Sequence, residues 1–412
     1  MVETVDPVDP LAVNGLLDLL VVGPLPYRNK GQDVDQRGGV LYNVALLQGL
    51  RRLGHDVRVL ATGPPQPGRL EPGDLGPDIS VEWFAVEYLT ARTPPAPAEV
   101  EKRCGQLERA VDRAIAERRP DLVVLGHEAQ VFYADACLER GLPTVLFAHG
   151  VPTHGLLDGV YPPSALEALL ERLSAIDLIV TVSRHLEAIL RALGLVRVRT
   201  IRTGIDAEAF SPRRKDPALL ASHGIEDDRF VVGSFSRMRA IKRVADLVAS
   251  AELVLRSQPR VLFLLAGDCP ERQAVVDLVE RMGLGESVRF LGEIDHTCVP
   301  DYMALCDAVV LASEREGFGL SVLEAQACGR AVIASDIPAV RELVDDRRTG
   351  RLFPVGDVEA LADRILELVT DGSLRRTLEE RARASALALS SESWIRACSE
   401  MLIETARVRD AR

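Results

Sequence analysis

The sequence predicts an α/β protein of two domains, each an open sheet wound with helices on both faces. Three observations predict it. Short apolar runs alternate with amphipathic helical patterns along the chain. A segment broken by proline and glycine, residues 204–229, divides that alternation into two series. In the second series the unusual polar residues fall directly after apolar runs, where doubly wound sheets place their ligands.

In the first series, apolar and β-branched runs predict strands over residues 16–22, 56–61, 79–84, 122–125, 144–147, 178–182 and 198–201. Helical periodicity between them predicts helices over 40–53, 99–118, 129–139, 164–173 and 184–193. Pro212, Pro217 and Gly224 interrupt both patterns and mark the interdomain connection. Strands are then expected over 230–235, 261–266, 288–291, 308–312 and 331–334, and a long helix with Trp394 over 391–409. The expected domains are 1–205 and 206–390, followed by a terminal helical segment, 391–412.

At 412 residues, 47% of them apolar, the chain is long enough to bury two cores. Net charge is −12 and evenly spread: residues 1–200 hold 20 basic and 26 acidic groups and the rest hold 29 and 35, so each part nets −6. No basic face stands out, which argues against nucleic acid and an anionic membrane as partners. The seven cysteines are scattered, odd in number and without a C-x-x-C pair, so neither a disulfide framework nor a zinc site is expected. Residues 1–14 carry no charged leader region and no apolar run approaches a membrane span; a cytoplasmic protein is the expectation.

The most informative stretch is Glu316, Gly317, Phe318, Gly319, Leu320, Ser321, Val322, Leu323, Glu324. It reads as a glycine turn leaving a strand and opening a short helix. Gly317 and Gly319 allow close approach of a ligand. The helix from about Leu320 points free N–H groups and its positive dipole end at that ligand, so an anion such as phosphate fits. The two carboxylates suit sugar hydroxyls better than phosphate. Arg237 ends an earlier strand and Lys242 follows at the start of the next helix; a guanidinium and an ammonium there form a candidate diphosphate clamp. Phosphate and sugar hydroxyls together suggest a nucleotide-sugar.

These residues, with Gly38 and Gly39 opening the first helix, Gly54 to Val57 closing it, His149 and Gly150 at a strand end, Thr203 to Asp206, and Phe210 to Pro212, resemble the retaining GT-B glycosyltransferases of family 4. The resemblance spans almost the whole chain. It implies two Rossmann-like domains facing a cleft, with the C-terminal helix returning to the first. It also implies a metal-independent hexosyltransferase needing no cofactor beyond its nucleotide-sugar substrate. Glu316 would take donor-sugar hydroxyls, helped by backbone around Gly317, Phe318 and Gly319. The amides of Leu320 and Ser321 would face phosphate, and Glu324 would hold the ribose. Backbone near Glu293 and Ile294 would meet the base, and Gly38 and Gly39 would approach the phosphate. His149, Glu316, Arg237 and Lys242 form the expected catalytic set, and Asp35, Arg37, Asn43, His127 and His154 the expected acceptor side.

The sequence departs from the family pattern at Thr203, where an asparagine is common, at Cys269 in place of a loop glycine, and at Ala312, where proline is common before Ser313. Asp33 and Asp35 form a D-x-D, but in the first βα loop, so no metal site is expected. His55, beside Gly54, is expected to cap a helix end. His149 could alternatively be a structural strand-end histidine.

The expected reaction moves a sugar, most simply from a UDP-sugar, to a small hydroxylated acceptor. Only four of the 49 basic residues are lysine, a composition resembling GC-rich actinobacterial coding, which suggests antibiotic or related secondary metabolism. Alternatives are a GDP-sugar-dependent transferase acting on a thiol or cyclitol, and a non-catalytic homologue. The latter should have lost Arg237, Lys242 or Glu316, and all three stand. A homodimer is one oligomeric option.

Overall fold

The computed structural model describes residues 15–24, 38–63, 79–85, 108–127, 130–131, 134–150, 163–269 and 271–410. These form two compact units. One holds the described residues up to Arg202, apart from Ser183–His185, together with the chain from Glu392 on; the other holds Ser183–His185 and Thr203–Ser391.

The first unit is built on β1 (Asp18–Pro24), β2 (Asp56–Gly63), β3 (Ser80–Ala85), β4 (Leu122–Leu125), β5 (Thr144–Ala148), β6 (Leu178–Thr181) and β7 (Val198–Thr200), in the order β3-β2-β1-β4-β5-β6-β7. All pairings are parallel. The second unit contains β8 (Val231–Phe235), β9 (Leu262–Ala266), β10 (Val288–Gly292), β11 (Ala308–Leu311), β12 (Ala331–Ser335) and β13 (Arg351–Phe353), ordered β10-β9-β8-β11-β12-β13, again all parallel. In β4, β5, β9, β11 and β12 every residue is buried, as strands covered by helices on both faces must be. Strand order reverses between β1 and β4 in one sheet and between β8 and β11 in the other. Those reversals open a crevice at the strands' carboxyl ends.

Each expected strand has an observed counterpart, displaced by a residue or two at its ends. β13 was not expected: it is three residues long and carries Arg351, which is only 1% exposed. Arg351 Nε lies 3.2 Å from Asp346 Oδ1 and its guanidinium also pairs with Glu367, so the buried cation is offset on two sides. The helix expected over 129–139 is shorter, Ala134–Leu138, and the one expected over 99–118 is described over 108–117.

The last helix, Ser391–Asp410, packs in the first unit. Its face of Trp394, Ile395, Cys398, Met401 and Leu402 is buried. Gly49 makes room for it, since a Cβ there would sit 2.4 Å from Ile395 Cδ1. Trp394 Nε1 donates to the Tyr42 hydroxyl at 3.2 Å. His55 is fully buried and serves the same seam. Its backbone N–H does cap the helix Gly38–Arg52, bonding Leu50 O at 3.2 Å past the left-handed Gly54. Its ring does more than capping predicts. Leu17 N–H donates to Nδ1 at 3.1 Å, so Nε2 carries the proton and donates to Ser399 Oγ at 2.7 Å. Burial holds this imidazole's pKa below its ordinary value, in keeping with a neutral ring.

Candidate active site

The second unit gathers its polar residues where β8 and β11 end. Ser236 N–H bonds Ala266 O at 3.2 Å and Gly267 N–H bonds Gly292 O at 2.7 Å, lacing the exits of β8, β9 and β10. After β8, Arg237 is exposed and the buried Met238 anchors the turn. A single 3₁₀ turn, Ala240–Lys242, follows, and Arg243 in the left-handed region (φ 49°) redirects the chain into the helix Val244–Ser257. Glu314 N–H donates to Ile241 O at 2.9 Å, tying the loop after β11 to this turn. That tie sets Lys242 against Glu316.

Lys242 Nζ lies 2.6 Å from Glu316 Oε1, and the hydroxyl of the fully buried Ser313 donates to the same oxygen at 2.6 Å. Of the expected twin clamp, Arg237 is exposed and Lys242 already holds a carboxylate. Three residues on, Gly319 adopts φ 99°, a conformation costly for any side chain, and begins the helix Leu320–Ala327 without a side-chain cap. Gly319 O accepts from Val322 and Leu323 N–H at 3.0 and 3.3 Å. The amides of Leu320 and Ser321 have no partner among the described residues. Phe318 and the helix from Val322 on are buried, so the open amides sit at the helix's one accessible end. That is an anion-binding arrangement.

Glu324 lies one turn further in, 9% exposed, with Oε1 at 2.9 Å from His296 Nε2. His296 belongs to the turn after β10, and its ring centroid is 5.2 Å from that of Phe210. Burial pushes the His296 pKa down, but the hydrogen bond and charge of Glu324, with Asp295, outweigh it and leave it above its ordinary value. Exposed Glu293 and half-buried Ile294 stand in the same turn, just past Gly292. Asp268 Oδ1 accepts from Cys269 N–H at 2.8 Å, and the Cys269 thiol donates to Glu271 Oε2 at 3.0 Å.

The first unit collects its candidates at β1, β4 and β5. His149, half-buried after β5, bonds Gly126 O through Nε2 at 3.1 Å. Its ring meets Tyr42 edge-on at 4.5 Å and stacks on His127 at 5.5 Å. Asn43 is 3% exposed, with its amide against the backbones of Gly23 and Gly126. It stands where β1 and β4 end. Gly38 and Gly39 open the helix Gly38–Arg52. Asp35, Arg37 and His154 lie outside the described residues, as do Asp33 and the rest of its loop. Two partners had no clear signal in the sequence: His296, a lone histidine in a turn, and Tyr42, one aromatic among core residues. Ser313 was visible as a motif position but not as the donor to Glu316.

Two family models match this chain: "Glycosyltransferase Family 4" over residues 37–209 and "Glycosyl transferases group 1" over residues 216–385. N-acetyl-alpha-D-glucosaminyl L-malate synthase of Bacillus anthracis is 34% identical over 46% of this chain and 48% of its own. D-inositol 3-phosphate glycosyltransferase of Saccharomonospora viridis is 29% identical over 50% of this chain and 49% of its own. The matched segments thus span about half the length of these curated relatives. The fold is that of sucrose-phosphate synthase from Thermosynechococcus elongatus, at TM-score 0.77 and 21% identity, covering 96% of this chain and all of that one. With its two parallel sheets and both family regions in order, the chain belongs to the family 4 glycosyltransferases of the group 1 type, with the GT-B fold.

Proposed function

We infer that this protein is a retaining glycosyltransferase that moves a sugar from a UDP-sugar to a small hydroxylated acceptor. One observation carries the reading: the amides of Leu320 and Ser321, without a partner among the described residues, open the helix between Glu316, paired with Lys242, and Glu324, paired with His296. The amides and Arg237 take the diphosphate, and Glu324 takes the ribose hydroxyls. Glu316, oriented by Ser313 and Lys242, accepts from hydroxyls of the donor sugar. Diphosphate reaching the site draws on Lys242 as a second cation, stabilising charge as the glycosidic bond to phosphate breaks. The acceptor oxygen then bonds the anomeric carbon from the face the phosphate leaves, and the acceptor proton passes to a phosphate oxygen. His149 and His127 are the acceptor-side groups of the first unit. The names of the two relatives, an N-acetyl-alpha-D-glucosaminyl L-malate synthase and a D-inositol 3-phosphate glycosyltransferase, agree with a small hydroxylated acceptor.

Arg237, Lys242 and the helix end supply the positive potential that a divalent cation supplies elsewhere, so transfer should persist in EDTA. The roles of the two glutamates separate in calorimetry with UDP. Glu324→Ala should weaken UDP and raise donor KM, whereas Glu316→Gln should leave UDP bound and lower kcat. Loss of UDP binding in Glu316→Gln with normal binding in Glu324→Ala would reverse the assignment. UDP failing to bind the wild type while GDP binds would replace the donor.

A further inference from the structure

Glu324 and His296 come from distant parts of one sheet. β10 is the edge strand, β8 and β9 separate it from β11, and Glu324 sits on the helix after β11. The turn after β10 nevertheless delivers His296 Nε2 to 2.9 Å from Glu324 Oε1. The turn is held for that purpose: Asp295 Oδ1 accepts from Thr297 N–H at 2.9 Å, and Asp295 O from Cys298 N–H at 2.8 Å. The Phe210 ring also meets the imidazole, tilted by 51° at 5.2 Å. A carboxylate buried to 9% exposure needs a partner. A hydrogen bond to one oxygen fixes its plane. Among the described residues, the charges that act on the imidazole are Glu324 and, in its own turn, Asp295.

We propose that His296 is a positioning residue for the nucleotide: its protonated ring orients Glu324 and offsets that carboxylate's repulsion of the diphosphate, so donor affinity weakens as the ring loses its proton. This rests on the reading that Glu324 receives the ribose. The sign follows from the pair. Burial alone would lower the His296 pKa, but Glu324 and Asp295 raise it above the ordinary value near 6.5. The ring is charged below that raised value, where binding is tight, and binding loosens as pH rises through it.

UDP-glucose, GDP-mannose and ADP-glucose are the probes, since their phosphates stay fully ionised between about pH 6 and 8.5. Calorimetry compares wild type, His296→Gln, Glu324→Gln and the double variant. Wild-type affinity should fall with rising pH. His296→Gln should bind roughly tenfold more weakly at the acid end, the scale of one hydrogen bond to a charged group, with a flat profile. In the Glu324→Gln background His296→Gln should add nothing.

A His296→Gln effect that survives in that background would mean direct contact with the ligand and overturn positioning. Weak binding by Glu324→Gln with an unaltered His296→Gln would also overturn it, leaving the role of Glu324 intact. A normal Glu324→Gln, or no binding of any probe by the wild type, removes the ribose reading and this inference with it. Should His296→Gln fail to fold, a flat wild-type profile would refute the proposal.

Discussion

Replacing Lys242 with methionine should damage stability and turnover by separable amounts. The ammonium sits 2.6 Å from Glu316 Oε1, with the side chains 21% and 12% exposed. At an effective dielectric near 20 the gross attraction at that distance is about 6 kcal/mol, most of it cancelled by desolvation. Exposed pairs are worth about 1 kcal/mol or less, and breaking fully buried ones costs about 3–5. A site of this exposure should lose about 2 kcal/mol, chiefly because Glu316 keeps its charge with only the Ser313 hydroxyl beside it. For a unit of the size of Thr203–Ser391 that is a fall in Tm of about 4–8 °C.

The structure makes a sharper demand. Glu316→Gln added to Lys242→Met removes the orphaned charge, so the double variant should regain most of the lost Tm. Activity should not return, because the cation proposed to meet the leaving phosphate is still missing. kcat/KM should fall roughly 10²–10³-fold in Lys242→Met and at least as far in the double variant, about 2.7–4 kcal/mol of transition-state stabilisation. Differential scanning fluorimetry and a donor-consumption assay read the two effects. Near-normal turnover in Lys242→Met would refute the assigned role, and an unrecovered Tm in the double variant would refute the pairing argument.

Two further outcomes follow from buried polar groups. His55 has a pKa below its ordinary value because of burial, so the unfolded chain binds that proton first; its contribution to stability is present above about pH 6.5 and is lost as pH falls through the folded-state value. Melting of the wild type should therefore drop more steeply than that of His55→Gln on acidification, and parallel profiles would exclude His55 as the cause. Arg351→Met should cost about 2 kcal/mol, measured by urea unfolding, because the cation shared by Asp346 and Glu367 is buried while those carboxylates are 42% and 32% exposed; a change under about 0.5 kcal/mol would show that solvent already serves them.

How much of this was legible in the sequence depends on how far each interaction reaches. Apolar runs are local, so the strands were read within a residue or two, and so was the start of the helix at Leu320, because the glycine-rich turn announces it. Arg237, Lys242, Glu316 and Glu324 were visible since each follows a strand at short range. β13 was missed because a three-residue strand with a buried arginine looks like a polar loop until Asp346 and Glu367 are seen around it. The neighbouring Gly54 predicts a helix cap at His55, yet the bonds of its ring reach Leu17 and Ser399, 38 and 344 residues away. No local pattern carries that information.

The same distinction explains why two identical side chains do different work. Glu316 and Glu324 border one helix eight residues apart in a single motif, and nothing in that motif separates them. Their partners do. Glu316 shares one oxygen between an ammonium and a hydroxyl, brought by the turn after β8 and the end of β11. Glu324 meets an imidazole brought by the turn after the edge strand. Of those three partner types only the imidazole ordinarily changes charge near neutrality. A shift in pH there should reach the group proposed to grip the nucleotide and spare the one proposed to face the reacting sugar. Donor affinity and the chemical step can then respond to pH separately, although both glutamates belong to one turn and one short helix.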